Sequence, residues 1–131
     1  MKKVLTFGVF DYFHYGHLRL LERAKDLGDY LIVAVQVDEE IYKTKPNVNI
    51  LYDLDKRIAM VRALKCVDEA IPYKQVCDDI VNIDFDVFCV GGDQNHGGIL
   101  KAIEWCKQNG KEVITLERTP NISSTEIRKK I

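Results

Sequence analysis

No apolar stretch in this chain approaches the roughly 18 residues that a membrane span needs, so the sequence predicts no transmembrane helix. The opening Met1-Lys2-Lys3-Val4-Leu5-Thr6-Phe7 is too short in its apolar run for a secretory signal and reads as a strand. Basic excess is lacking too. Nineteen Lys and Arg against 20 Asp and Glu leave a net charge of −1, which argues against DNA or RNA as a partner. The four cysteines, Cys66, Cys77, Cys89 and Cys106, form no C-x-x-C pair and no finger spacing. Cys89, inside Val87-Phe88-Cys89-Val90, has the surroundings of a small core filler. Reduced thiols and the lack of an export signal predict a cytoplasmic protein with no membrane association. Repeats, linkers and low-complexity tracts are missing as well. A chain of 131 residues can bury one proper core but not two, so a single domain over 1–131 is expected.

What is present is an ordinary globular composition, 47% apolar and 30% charged, arranged as alternating strands and helices. Residues 4–9 read as a short apolar strand. Over residues 18–27, Leu20, Leu21, Ala24 and Leu27 recur at helical spacing, opposite Arg19, Glu22, Arg23 and Asp26, and Gly28 stops the pattern. Residues 30–37 form a near-continuous apolar strand, of the kind covered on both faces in a parallel sheet. Residues 38–49 are polar and read as irregular. Asp53 is placed to cap a helix running to about Leu64. Strands are expected over 69–72, 86–90 and 112–116, with helices over 75–82, 99–108 and 123–130. Gly110 closes the helix that precedes the last strand. The whole predicts an α/β fold: one Rossmann-like domain, a five-stranded, mostly parallel sheet with helices on both faces.

Ligands of such sheets bind beyond the carboxyl ends of the strands. The first of these ends carries Gly8-Val9-Phe10-Asp11-Tyr12-Phe13-His14-Tyr15-Gly16-His17. Gly8 lets the backbone leave the strand close to a ligand, and Gly16 permits tight approach where the helix opens. The unpaired N–H groups of a helix mouth suit phosphate. Two imidazoles three residues apart can face one side of that mouth and donate to a phosphoryl oxygen as charge accumulates. As a zinc pair they are less apt, because helical zinc ligands usually stand at i and i+4 and no third ligand is evident. No G-x-G-x-x-G follows the first strand, which disfavours a dehydrogenase.

Gly8-Val9-Phe10-Asp11 followed by His14-Tyr15-Gly16-His17 resembles the G-x-F-D-x-x-H-x-G-H signature of the cytidylyltransferase-like nucleotidyltransferases. Arg118-Thr119-Pro120-Asn121-Ile122-Ser123-Ser124-Thr125 is similar to the second signature, R-T-x-G-I-S-T-T, of the bacterial glycerol-3-phosphate cytidylyltransferases. The resemblance implies transfer of CMP from CTP to a small phosphorylated alcohol, glycerol 3-phosphate above all, with release of pyrophosphate. It implies catalytic roles for His14, His17, Lys45 and Arg118. Nucleotide contacts would fall to Gly8, Val9, Phe10, Asp11, Gly16, Asp93, Thr119, Ile122, Ser123 and Ser124. Acceptor contacts would fall to Lys43, Arg57 and Lys65. Mg²⁺ is expected to arrive with CTP, no residues are assigned to a resident metal, and a homodimer is expected. Charge logic agrees, because two anionic substrates repel and need cations between them.

The chain departs from the family in places. Asn121 replaces a glycine, Val9 a threonine and Lys65 an arginine, and the stretch 73–78 is shorter. Two alternatives stand beside this reading: a sugar-phosphate adenylyltransferase, which shares a motif like Gly91-Gly92-Asp93, and a non-catalytic nucleotide-binding module.

Overall fold

The computed structural model describes residues 1–92, 94 and 96–117. Five strands, β1 (Lys3–Gly8), β2 (Tyr30–Gln36), β3 (Glu69–Tyr73), β4 (Val87–Gly91) and β5 (Glu112–Leu116), lie in the order β3-β2-β1-β4-β5. The expectation was a mostly parallel sheet; all four described pairings are parallel. The reason is topological. Each strand is followed by helix before the next, and only such a crossover returns the chain to run the same way.

Near-continuous apolar strands follow from burial on both faces. In β2, Leu31, Ile32, Val33, Ala34 and Val35 are all buried, and alternate residues serve opposite layers. Ile32 and Ala34 join Leu5, Phe7, Phe88 and Val90 beneath α4 (Val76–Asp79) and α5 (Gly97–Gln108). Leu31, Val33 and Val35 join Val4, Val87 and Cys89 beneath α1 (Tyr15–Lys25) and α3 (Leu54–Arg62). Each fully buried side chain of this size contributes about 1.5–3 kcal/mol. A one-residue slip would send every one to the wrong layer, so the register is set by the sequence itself.

Element boundaries moved for identifiable reasons. α1 begins at Tyr15, earlier than apolar periodicity indicated, because His14 caps it. It ends at Lys25, and a Cβ at Gly28 would come within 2.6 Å of the Lys2 carbonyl oxygen. The stretch expected to be irregular contains α2 (Asp38–Thr44), with Asp38, Glu39 and Glu40 in its first turn and Lys43 in its last, matching the helix dipole. Asp53 caps α3 as expected, accepting from the Lys56 N–H. A 3-10 turn (Ile80–Asn82) follows α4. Gly110, at φ +71°, takes the left-handed turn before β5. The helix expected over 123–130 lies outside the described residues.

Candidate active site

The carboxyl end of β1 leaves the sheet through a strained loop. Phe10 (φ 57°) and Tyr12 (φ 51°) both take left-handed backbone angles, at a cost of roughly 1–3 kcal/mol each. Packing offsets the first: the Phe10 ring folds back over Gly8, where a Cβ would lie 2.6 Å from the ring. The space that Gly8 leaves is therefore filled by this chain's own aromatic ring. Asp11, only 2% exposed, anchors the loop. Its carboxylate accepts from the Leu51 N–H (3.0 and 3.1 Å) and the Tyr52 N–H (3.2 Å), so it joins the β1–α1 loop to the segment that enters α3.

The two histidines form a reciprocal cap at the mouth of α1. The Gly16 N–H donates to Nδ1 of His14 (3.0 Å), and the His14 N–H donates to Nδ1 of His17 (3.2 Å). This is the capping-box pattern built from imidazoles instead of hydroxyl and carboxylate. The rings stack with centroids 3.9 Å apart and planes 18° from parallel. A nitrogen that accepts from a backbone N–H carries no proton, so both rings are Nε2–H tautomers when neutral. His17 is neutral: burial first, and then its neighbour His14, push its pKa down to about 3. Phe13 and Phe10 flank it, with centroids at 5.3 and 5.5 Å. The pair is thus fixed in orientation before any ligand arrives. Gly16 is buried within the first turn.

Lys43 and Lys45 sit beyond the carboxyl end of β2, at the same edge of the parallel sheet as the histidine mouth beyond β1. Lys43 is exposed in the last turn of α2 and pairs with Glu40 (3.2 Å). Lys45 is the C-cap of that helix, its N–H donating to the Ile41 carbonyl (2.8 Å). Glu40, absent from the sequence expectations, also accepts from the Gln75 side chain (2.6 Å), and these bonds hold its pKa below the usual carboxylate range.

Two expected acceptor contacts are placed otherwise. Arg57 is fully buried. Its Nε donates to the Tyr52 carbonyl (3.0 Å), Nη1 to the Val9 and Gln36 carbonyls (2.9 and 2.8 Å), and Nη2 pairs with Asp38. It ties the ends of β1 and β2 together and offers no open cationic face. The sequence held a signal for this, since Leu54, Arg57, Ile58 and Val61 share one helical stripe. Lys65 is exposed between α3 and β3, where the neighbouring Asp68 N–H bonds the Leu31 carbonyl. That is the amino end of the sheet, a full strand length, at about 3.3 Å per residue, from the histidines of the same chain. Val9 contributes its carbonyl to Arg57. Gln94, which the sequence did not single out, bonds both the Phe7 carbonyl (2.8 Å) and the Gly91 N–H (2.9 Å). Asp93, Arg118, Thr119, Ile122, Ser123 and Ser124 lie outside the described residues.

Comparison with known proteins agrees in family and fold. The chain is 43% identical over 133 residues to the glycerol-3-phosphate cytidylyltransferase of Bacillus spizizenii, covering 98% of this chain and 96% of that one. It is 40% identical over 135 residues to the protein of that name from Staphylococcus aureus, covering 100% and 96%. Among solved structures, the lipopolysaccharide core biosynthesis protein of Thermoplasma volcanium superposes with a TM-score of 0.74 at 27% identity, covering 91% of this chain and 97% of that one. The profile named Cytidylyltransferase-like matches residues 5–130. With a five-stranded parallel sheet and a paired-histidine helix mouth at its carboxyl edge, this chain belongs to the cytidylyltransferase-like family.

Proposed function

We propose that the protein is a nucleotidyltransferase that moves CMP from CTP to glycerol 3-phosphate. The observation that carries this is the end-to-end likeness, at 40–43% identity, to proteins named glycerol-3-phosphate cytidylyltransferase. The geometry of the α1 mouth supports the same reading. An oxygen of the acceptor phosphate attacks the α-phosphorus of CTP, the bond to the β-phosphate oxygen breaks, and pyrophosphate leaves with that electron pair. His14 and His17 each donate from Nε2 to oxygens that gain charge in the transition state. Their Nδ1 atoms are held by backbone N–H groups, so no reorganisation is needed as the charge develops.

Lys43 and Lys45 would draw the acceptor phosphate and the triphosphate together across their mutual repulsion. Arg118, with Thr119, Ile122, Ser123 and Ser124, would grip the triphosphate from the far side, and Asp93 would lie beside the nucleotide. Mg²⁺ belongs to the substrate as Mg·CTP, where it neutralises phosphate charge. The engagement of Asp11 by the Leu51 and Tyr52 N–H groups and of Glu40 by Gln75 and Lys43 supports phosphate oxygens as its main ligands. A homodimer and a cytoplasmic location belong to the same proposal; light scattering and cell fractionation check them. Among the described residues no helix is long and apolar enough to cross a membrane.

The test is a screen of CTP, ATP, GTP and UTP against phosphorylated polyols, amino alcohols and sugars, read by pyrophosphate release and mass of the product. CDP-glycerol as the main product is expected; preferred turnover of ATP with a sugar phosphate would overturn the assignment. His14→Ala should lower turnover roughly 10²- to 10³-fold, and normal turnover in that variant would remove the histidine from the chemistry.

A further inference from the structure

The ladder between the two central strands stops early. β1 pairs with β2 along all six of its residues, but with β4 only at Val4↔Val87 and Leu5↔Phe88. Continued in the same register, the ladder would set Gly8 against Gly91. The Gly91 N–H would then donate to the Phe7 carbonyl in the ordinary parallel pattern. The side-chain amide of Gln94 lies between those two groups instead. Its Oε1 accepts from the Gly91 N–H (2.9 Å) and its Nε2 donates to the Phe7 carbonyl (2.8 Å). One backbone donor and one backbone acceptor decide which end of the amide faces which strand. The Gln94 N–H donates in turn to the Gly91 carbonyl (3.0 Å), which anchors the side chain to the strand it props.

We infer that Gln94 is a wedge, its amide spliced into a ladder bond so that the carboxyl ends of β1 and β4 stand apart and receive the nucleotide between them. The strand order reverses here, with β2 and β3 to one side and β5 to the other. In open parallel sheets that crevice is where ligands enter. Gln94 is on this account a positioning residue, which acts through the Phe7–Gly8 and Gly91–Gly92 backbone on either wall. The identity of the ligand rests on the cytidylyltransferase reading.

A wedge and a mere structural bridge predict opposite things. If the amide is removed from a wedge, the Gly91 N–H can reach the Phe7 carbonyl directly. A ladder bond replaces the two lost ones and the crevice narrows. If it is removed from a bridge, two buried groups lose partners, stability falls, and nucleotide binding is left alone.

Steady-state kinetics and urea unfolding of Gln94→Ala and Gln94→Glu separate the two. For Gln94→Ala we expect KM for CTP to rise roughly tenfold or more, with KM for glycerol 3-phosphate and the unfolding midpoint unchanged. An unchanged KM for CTP overturns the proposal. Should Gln94→Ala lose both stability and CTP affinity, Gln94→Glu decides. Its protonated carboxyl offers one donor and one acceptor, as the amide does, whereas the ionised form only accepts. Under the wedge, KM for CTP in Gln94→Glu recovers toward wild type as pH is lowered through the new carboxyl's titration; no recovery overturns it. A wild-type protein that turns over no CTP would sink the cytidylyl assignment alone. Hydrogen exchange at the Gly91 amide would still test the wedge, since Gln94→Ala leaves that proton protected if the ladder closes and exposes it if not.

Discussion

His17 is the residue whose environment has the clearest consequence in solution. In the folded chain it takes a proton only near pH 3, against 6.5 for an unperturbed histidine. Between those values the unfolded state binds more protons, so stability falls as pH is lowered through that window, by up to about 1.4 kcal/mol per pH unit. His17→Gln keeps an oxygen able to accept from the His14 N–H and removes the titration. Its stability relative to wild type should therefore improve steadily from pH 6.5 downward, in urea unfolding run at several pH values. A constant offset would show that His17 is not buried neutral. Asp11→Asn turns one carboxylate oxygen into an NH₂ group facing the Leu51 and Tyr52 N–H groups. A loss of about 1–3 kcal/mol is expected by the same measurement. The importance of both residues was legible in the motif. Their local geometry was not, because nothing in the spacing tells that the imidazoles would cap one another or that Asp11 would reach across to residues 51 and 52.

Among the elements, helices declared themselves where caps and apolar stripes coincided. Asp53 before Ile58, Val61 and Leu64 marked the start of α3 correctly. Asp53→Ala should cost about 1 kcal/mol, and a change well below half of that in the urea midpoint would mean the Lys56 N–H finds another partner. α2 was missed for a physical reason. It is short, mostly exposed and carries only Ile41 and part of Glu40 into the interior, so it lacks an apolar stripe and depends on its charges. The inner strands β2 and β4 were legible because both of their faces are covered and they are nearly all apolar. What the strand pattern could not reveal was where a ladder ends, since that depends on a side chain, Gln94, from beyond β4.

For the molecule as a whole, Arg57 holds more together than any other polar group described. It joins β1, β2 and the α2 terminus from within α3. Arg57→Met would leave three carbonyls and Asp38 without it, so a loss of about 3–5 kcal/mol is expected in equilibrium unfolding, with activity falling in parallel. Retained stability alongside lost turnover would instead return Arg57 to the substrate. Reading it as a ligand contact came from weighing its charge above its place in an apolar stripe. Strand order has a further outcome, one felt while the protein is being made. Of these five strands β1 leaves the ribosome first, yet it ends in the middle of the sheet, and its second neighbour does not exist until Val87 has emerged. Until then the nascent chain displays a bare hydrophobic strand edge, the kind of surface that chaperones hold and that unfinished chains use to stick to one another.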